Sequence, residues 1–227
     1  MCRLLVKELE TLGARSLVSY GPLKRQGVRL LGSGWTGNVF LVETDSNQLL
    51  AVKALKPGSR RASMLAEAAA WAAAAALGAT PRMVYASRLL IAYEPALGPM
   101  LRDYMPGSRA EAALVARRLV EKAYALDAAG LRHNELARPE GQVVLDTRSP
   151  PEPYIVDYDS ATWGKGGRNL PQLIGGLHRT PLGRLCRARE VAEEARTLLK
   201  AYKRRPRALE ASHVAGMLEE GCLRGYR

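Results

Sequence analysis

Leucines at positions 4, 5, 9 and 12 recur with helical spacing and predict a short amphipathic helix over 4–13. A turn-rich segment runs from there to Gly27. Three β-prone runs follow, over 28–31, 39–43 and 49–55, separated by glycines and by Asp45-Ser46-Asn47; they read as an antiparallel meander. The alanine-rich stretch 59–77 is strongly helix-forming, and Gly78 stops it. Runs over 83–87 and 89–93 add two strands, giving the order β-β-β-α-β-β. Past a link containing Pro95 and Gly98-Pro99 the periodicity turns helical. A turn or two is expected over 101–105. Ser108 with Glu111 three residues on forms a capping box, opening a helix that runs to Ala129 and ends at Gly130. Short strands over 142–146 and 154–157 flank a proline-rich turn, and helices are expected over 169–178, about 183–204 and 207–220. The natural division falls near 94–99, separating 1–94, with 1–27 as an extension, from a mainly helical 95–227.

At 227 residues and 47% hydrophobic the chain can bury a real core. No segment is apolar for long enough to span a bilayer, and the N-terminus lacks the basic-then-apolar order of a secretory signal, so a cytoplasmic protein without membrane contact is expected. The three cysteines, Cys2, Cys186 and Cys222, contain no CxxC pair. That argues against a zinc site and for independent core or surface residues in a reducing compartment. The net charge of +12 favours an anionic partner, whether a nucleotide, RNA or an acidic protein. An arginine-rich surface of a heat-adapted protein is the other reading.

The segment Gly32-Ser33-Gly34-Trp35-Thr36-Gly37-Asn38-Val39 changes this picture, because Ala51-Val52-Lys53 follows a hairpin's length later. Glycines at that spacing let backbone N–H groups approach phosphate oxygens, and a lysine on the next strand adds a point charge. Lys53 alone would read as a surface lysine; together the two parts are a far stronger signal. Glu67, the first acid within the predicted helix, can hold the Lys53 ammonium from the other side. Downstream, His133-Asn134-Glu135-Leu136 follows the Gly130 helix stop, and Asp157 and Asp159 follow an apolar strand. An acid so placed suits Mg²⁺, which takes one or two carboxylates plus substrate phosphates.

The order GSGWTGNV, AVK, helical Glu, H-N-E-L and I-V-D-Y-D resembles the protein-kinase-like superfamily over roughly residues 28–178. It looks most similar to the small archaeal predicted serine/threonine kinases, near the RIO kinases and the kinase of the KEOPS tRNA-modification complex. The resemblance implies an α+β, bilobal minimal kinase fold: an antiparallel sheet plus one helix in the first lobe, a small helical second lobe, and ATP between them. It places Gly32, Ser33, Gly34 and Gly37 over the phosphates and Lys53 on the α- and β-phosphates, with Glu67 as its partner. Val39 and Ala51 would cover the adenine, with Val144 beneath it, Tyr93 as gatekeeper, and Glu94 and Ala96 offering backbone groups. His133 would brace the catalytic loop, Glu135 would act as base, and Asp157 would bind Mg²⁺.

Departures accompany the match. Glu135 stands where an aspartate is usual, its carboxylate moved out by one methylene. The usual metal-binding Asn is replaced by Gln142, after an apparent two-residue insertion, or by Glu140. Asn134 stands where an arginine often pairs with a phosphorylated loop, and no A-P-E motif follows. Arg138 is a candidate contact for the transferring phosphate. The stretch 163–168 is a candidate substrate contact or a mobile basic turn, and the run Lys203-Arg204-Arg205-Pro206-Arg207 a candidate RNA contact or a charged helix end. The expected activity is ATP- and Mg²⁺-dependent transfer to a hydroxyl, with a protein serine or threonine as default acceptor, including self-phosphorylation. The alternatives are a nucleotide-binding regulator that contacts RNA or a ribonucleoprotein without transfer, and a small-molecule kinase.

Overall fold

The computed structural model describes residues 2–147 and 150–224, apart from the side chain of Cys2. The chain divides into two units: residues 1–75 with 81–95, and residues 76–80 with 96–227.

The first unit is built on one antiparallel sheet. Its strands are β1 (Ala14–Val18), β4 (Gly32–Ser33), β5 (Gly37–Thr44), β6 (Leu49–Leu55), β7 (Met83–Ala86) and β8 (Leu90–Tyr93). Their order is β1-β5-β6-β8-β7, with β4 also paired to β5. Side chains alternate between faces along β6. Leu50, Val52 and Ala54 join Val42, Leu90 and Ala92 in a buried cluster, against which α1 (Cys2–Thr11) lays Leu5 and Leu9. Residues 51, 53 and 55 turn to the other face. There α2 (Leu65–Ala76) supplies Glu67 to Lys53 and stacks Trp71 on Tyr93, ring centroids 4.3 Å apart. The sheet is therefore covered on both sides, which explains why β6 reads as an almost unbroken apolar run.

Three expectations for this unit need correction. The turn-rich segment before Gly27 contains β1, whose partner is β5. Its inner residues are exposed, so no apolar alternation announced it; backbone pairing alone makes it a strand. The run at 28–31 does not join a meander with β5. As β3 (Val28–Leu30) it forms a separate hairpin with β2 (Leu23–Arg25), turned by Gln26 and Gly27, both at positive φ as a two-residue turn requires. Helix α2 begins at Leu65 rather than at 59.

In the second unit, α3 (Arg109–Ala128) is the central helix, and Ser108 caps it by accepting from the Glu111 N–H. It is followed by β9 (Leu131–Arg132), a 3₁₀ turn at Pro139–Gly141, the hairpin β10 (Val143–Asp146) and β11 (Glu152–Ile155), and β12 (Thr162–Trp163), which pairs back to β9. Helices α4 (Asn169–Leu177), α5 (Pro181–Leu185), α6 (Ala188–Glu194), α7 (Arg196–Arg204) and α8 (Ala208–Leu223) complete it. The single helix expected over about 183–204 is thus three short ones. Arg187, at φ 54°, breaks the first join, and Ala195 ends α6 with a non-helical ψ.

The cysteines also need correction: Cys186 and Cys222 form a disulfide. Their 36-residue separation carries no hint of it. Gly221 permits the approach, since a Cβ there would lie 2.3 Å from the Cys186 carbonyl oxygen. Among the described residues, no helix is long and apolar enough to cross a membrane.

Candidate functional site

In the first unit, β4 and β5 form the hairpin that carries the glycine motif. Gly32 pairs with Val39 and Ser33 with Asn38, and the Gly34 N–H donates to the Gly37 carbonyl at 3.0 Å. The two inner glycines differ physically. A Cβ on Gly37 would lie 2.7 Å from the Ala54 carbonyl oxygen and 3.3 Å from Lys53 Cγ, so close strand approach requires glycine there. A Cβ on Gly34 would meet nothing within 4 Å, leaving that side open to a ligand. Lys56 ties the loop down: its ammonium donates to Ser33 Oγ at 2.9 Å and to the Gly34 carbonyl. Sequence reasoning missed Lys56; its place three residues beyond Lys53 was the available signal. Trp35 at the tip is 97% exposed.

Lys53 faces Val39 across the β5–β6 ladder and is buried. Its ammonium lies 2.5 Å from Glu67 Oε1, also buried. Two charges are removed from water only where each compensates the other. Ala51 pairs with Tyr93 and both are buried, whereas Val39 is half-buried. The Glu94 side chain pairs with Arg82, and its N–H donates to the Arg82 carbonyl, which leaves its own carbonyl to offer a ligand.

In the second unit, His133 anchors the loop after β9. Its Nε2 lies 2.8 Å from the Val156 carbonyl, which can only accept, so Nε2 carries the proton. Nδ1 then accepts from the Glu135 N–H. Burial holds the imidazole below its usual pKa, and its ring meets Tyr158 edge-on at 4.9 Å. The His133 N–H donates to Asn169 Oδ1, and Asn169 Nδ2 donates to the Leu131 carbonyl and to Asp127 Oδ1. Asp127 also accepts from three backbone N–H groups at the start of α4 and from the Tyr202 hydroxyl. Burial pushes the Asp127 carboxyl up in pKa, and these bonds oppose the rise. This buried network holds the backbone that leads to Glu135. Sequence reasoning missed Asp127, Asn169 and Tyr202, because ordinary-looking residues from three helices meet only in the fold.

Glu135 is half-buried, and its Oε2 accepts from Gln142 Nε2 at 2.9 Å. Pointing the amide nitrogen at the carboxylate turns Gln142 Oε1 away, and that buried oxygen has no hydrogen-bond partner. The Gln142 carbonyl accepts from the Val156 N–H, which sets Gln142 across the hairpin from the residue preceding Asp157. An orphaned amide oxygen beside a strand that Asp157 follows two residues on fits Mg²⁺, a cation that selects oxygen ligands. Glu140 has Oε1 3.5 Å from Arg179 Nε, and its Oε2 is likewise buried without a hydrogen-bond partner. Asn134 and Asp157 both adopt positive φ, 70° and 68°. Asn134 is held there by its Nδ2, which donates to the Ser160 carbonyl and Thr162 Oγ1. Arg138 is exposed. Val144 is half-buried and forms a bridge with Met100.

By sequence, no family model and no curated protein matches this chain. By structure it is similar to a Rio2 kinase from Chaetomium thermophilum, whose crystal structure is that of an ADP/Mg²⁺-phosphoaspartate complex. The TM-score is 0.58 at 17% identity, covering 96% of this chain and 74% of the other. The chain therefore has a protein-kinase-like fold.

Proposed function

We propose that the protein is an ATP- and Mg²⁺-dependent phosphotransferase acting on a hydroxyl, with a protein serine or threonine as acceptor. The observation that carries this reading is the buried Lys53–Glu67 pair beside a loop whose Gly34 is unobstructed. A buried lysine–carboxylate pair is not explained by stability, since an apolar pair of similar volume would serve as well. A lysine oriented to serve phosphate oxygens gives the pair a purpose. Gly32, Ser33, Gly34 and Gly37 would shape the backbone over the triphosphate, and Val39, Ala51 and Val144 would contact the base, with Glu94 and Ala96 at its edge. When bound, Mg²⁺ would neutralise charge on the phosphates, held by Asp157 and Gln142 Oε1. Glu135 would orient the acceptor hydroxyl and take up its proton. Catalysis of this kind rests on positioning and electrostatics.

One observation favours a second reading, a nucleotide-binding regulator without transfer: the Glu135 carboxylate is already engaged by Gln142. Labelled ATP with Mg²⁺, offered to wild type, Lys53→Ala and Glu135→Gln, separates the two. Label on the protein or on an added acceptor in wild type alone supports transfer. Thermal stabilisation by ATP with no turnover in any of the three supports the regulator. Transfer to added small alcohols or aminoglycosides, but to no protein, would assign a small-molecule kinase.

A further inference from the structure

Away from the residues assigned above, the second unit carries a basic, partly aromatic surface. A cavity of about 420 Å³ is lined by Arg132, Lys165, Arg168, Pro171, Gln172 and Lys203. A second, of about 510 Å³, shares Lys165 and adds Trp163, Arg204 and Arg205. Trp163 is 59% exposed. The acid lining these cavities is Asp127, whose carboxylate is consumed by the α4 backbone, Asn169 and Tyr202. Among the described residues, none of Lys165, Arg168, Lys203, Arg204 and Arg205 enters an ion pair.

This surface is shaped by packing. A Cβ on Gly164 would lie 2.5 Å from Arg132 Cζ, one on Gly166 2.7 Å from the Lys203 carbonyl oxygen, and one on Gly167 2.3 Å from the Tyr202 ring. The glycine turn is thus wedged between Arg132 and α7, and Arg132 also donates to the Lys165 carbonyl. Cations from β9, the turn and α7 are thereby brought together at a common cost in mutual repulsion. A single phosphate needs far less room than these two cavities. A ligand with repeated phosphates and flat faces fits both the cations lining the two adjoining cavities and the exposed indole.

We propose that this surface binds a single-stranded polynucleotide, with phosphates along Arg132, Lys165, Arg168, Lys203, Arg204 and Arg205 and a base stacked on Trp163. The site is independent of phosphotransfer, and binding is read without ATP.

The test is fluorescence anisotropy of a labelled uridylate 12-mer across a salt series. Neutralised phosphates on a single strand give a log–log salt slope of about −0.7 each, so six cations predict a slope as steep as about −4. Lys165→Ala/Lys203→Ala should flatten it by about 1.4. Trp163→Ala should weaken binding by roughly 5- to 150-fold, while Trp163→Phe retains most of the affinity. If a Trp163 variant melts early, the exposed pair Arg204→Glu/Arg205→Glu, at the end of α7, replaces it and should also weaken binding. Unlabelled single strand should compete better than duplex, a phosphopeptide of equal charge or inorganic phosphate. The proposal is overturned if the 12-mer does not bind or if these variants leave its affinity unchanged. It is also overturned if the phosphopeptide competes equally, which would assign the surface to an acidic protein partner.

Discussion

The contrast between Gly34 and Gly37 gives the sharpest prediction. Gly37→Ala puts a methyl 2.7 Å from the Ala54 carbonyl oxygen and 3.3 Å from Lys53 Cγ. Neither neighbour can move freely: the carbonyl belongs to the β6 backbone, and Lys53 is held by Glu67. Overpacking of this kind costs about 1–3 kcal/mol. For a protein of this size that lowers the melting temperature by about 2–12 °C. Gly34→Ala meets nothing within 4 Å and is not at positive φ, so its folded state is unstrained. Restricting the unfolded chain should raise its stability by about 0.4–1 kcal/mol. Adding Mg·ATP at 100 times Kd should stabilise wild type by about 2.7 kcal/mol. Much of that gain should vanish in Gly34→Ala, whose methyl occupies the side left open for phosphate. Melts of the three proteins, with and without Mg·ATP, decide it. Equal melting of Gly37→Ala and wild type would refute the steric argument. An undiminished ATP shift in Gly34→Ala would refute the assignment of that open side to phosphate.

Further outcomes follow from the same geometry. Lys53→Met should cost about 3–5 kcal/mol in urea unfolding because it removes the cation that faces the buried Glu67 carboxylate, and adding Glu67→Leu should recover part of that loss; a double variant no more stable than the single would contradict the pairing. His133 is held neutral by burial, so below its ordinary pKa of about 6.5 the unfolded chain binds a proton that the folded chain refuses. Its contribution therefore makes stability fall as pH drops from about 7.5 to 5.5, by up to about 1.4 kcal/mol per pH unit, and His133→Gln should flatten that part of the profile. Thiol titration of the unreduced, denatured protein should find one thiol, since two of the three cysteines are joined. Reduction should cost about 4 kcal/mol for a closed loop of this length, read as a lower melting temperature.

How far the chain could be read depended on the range of the forces involved. Local patterns carried α1, β6, α3 with its Ser108 cap, and the β10–β11 hairpin, because periodicity and capping act over a few residues. The glycine loop and Lys53 were legible for the same reason: a turn and the next strand lie within one hairpin. Strand β1 was not legible, because an edge strand exposed on most of its length is defined by its partner rather than by its own side chains. The breaks at Arg187 and Ala195 were hidden inside a stretch whose composition suits one helix.

By itself the sequence determined which chemistry was on offer: three glycines, a lysine, a helical glutamate and acids after apolar strands, in an order compatible with one fold. Only the tertiary structure decided how those groups are held. It showed that Lys53 meets Glu67, that Gln142 spends its nitrogen on Glu135 and keeps its oxygen unspent, and that Asp127, Asn169 and Tyr202 clamp the loop behind His133. It also joined Cys186 to Cys222. The physical reason is the same in each case: hydrogen bonds, ion pairs and disulfides act over about 3 Å of space whatever the separation along the chain, so their partners exist only once distant elements have packed.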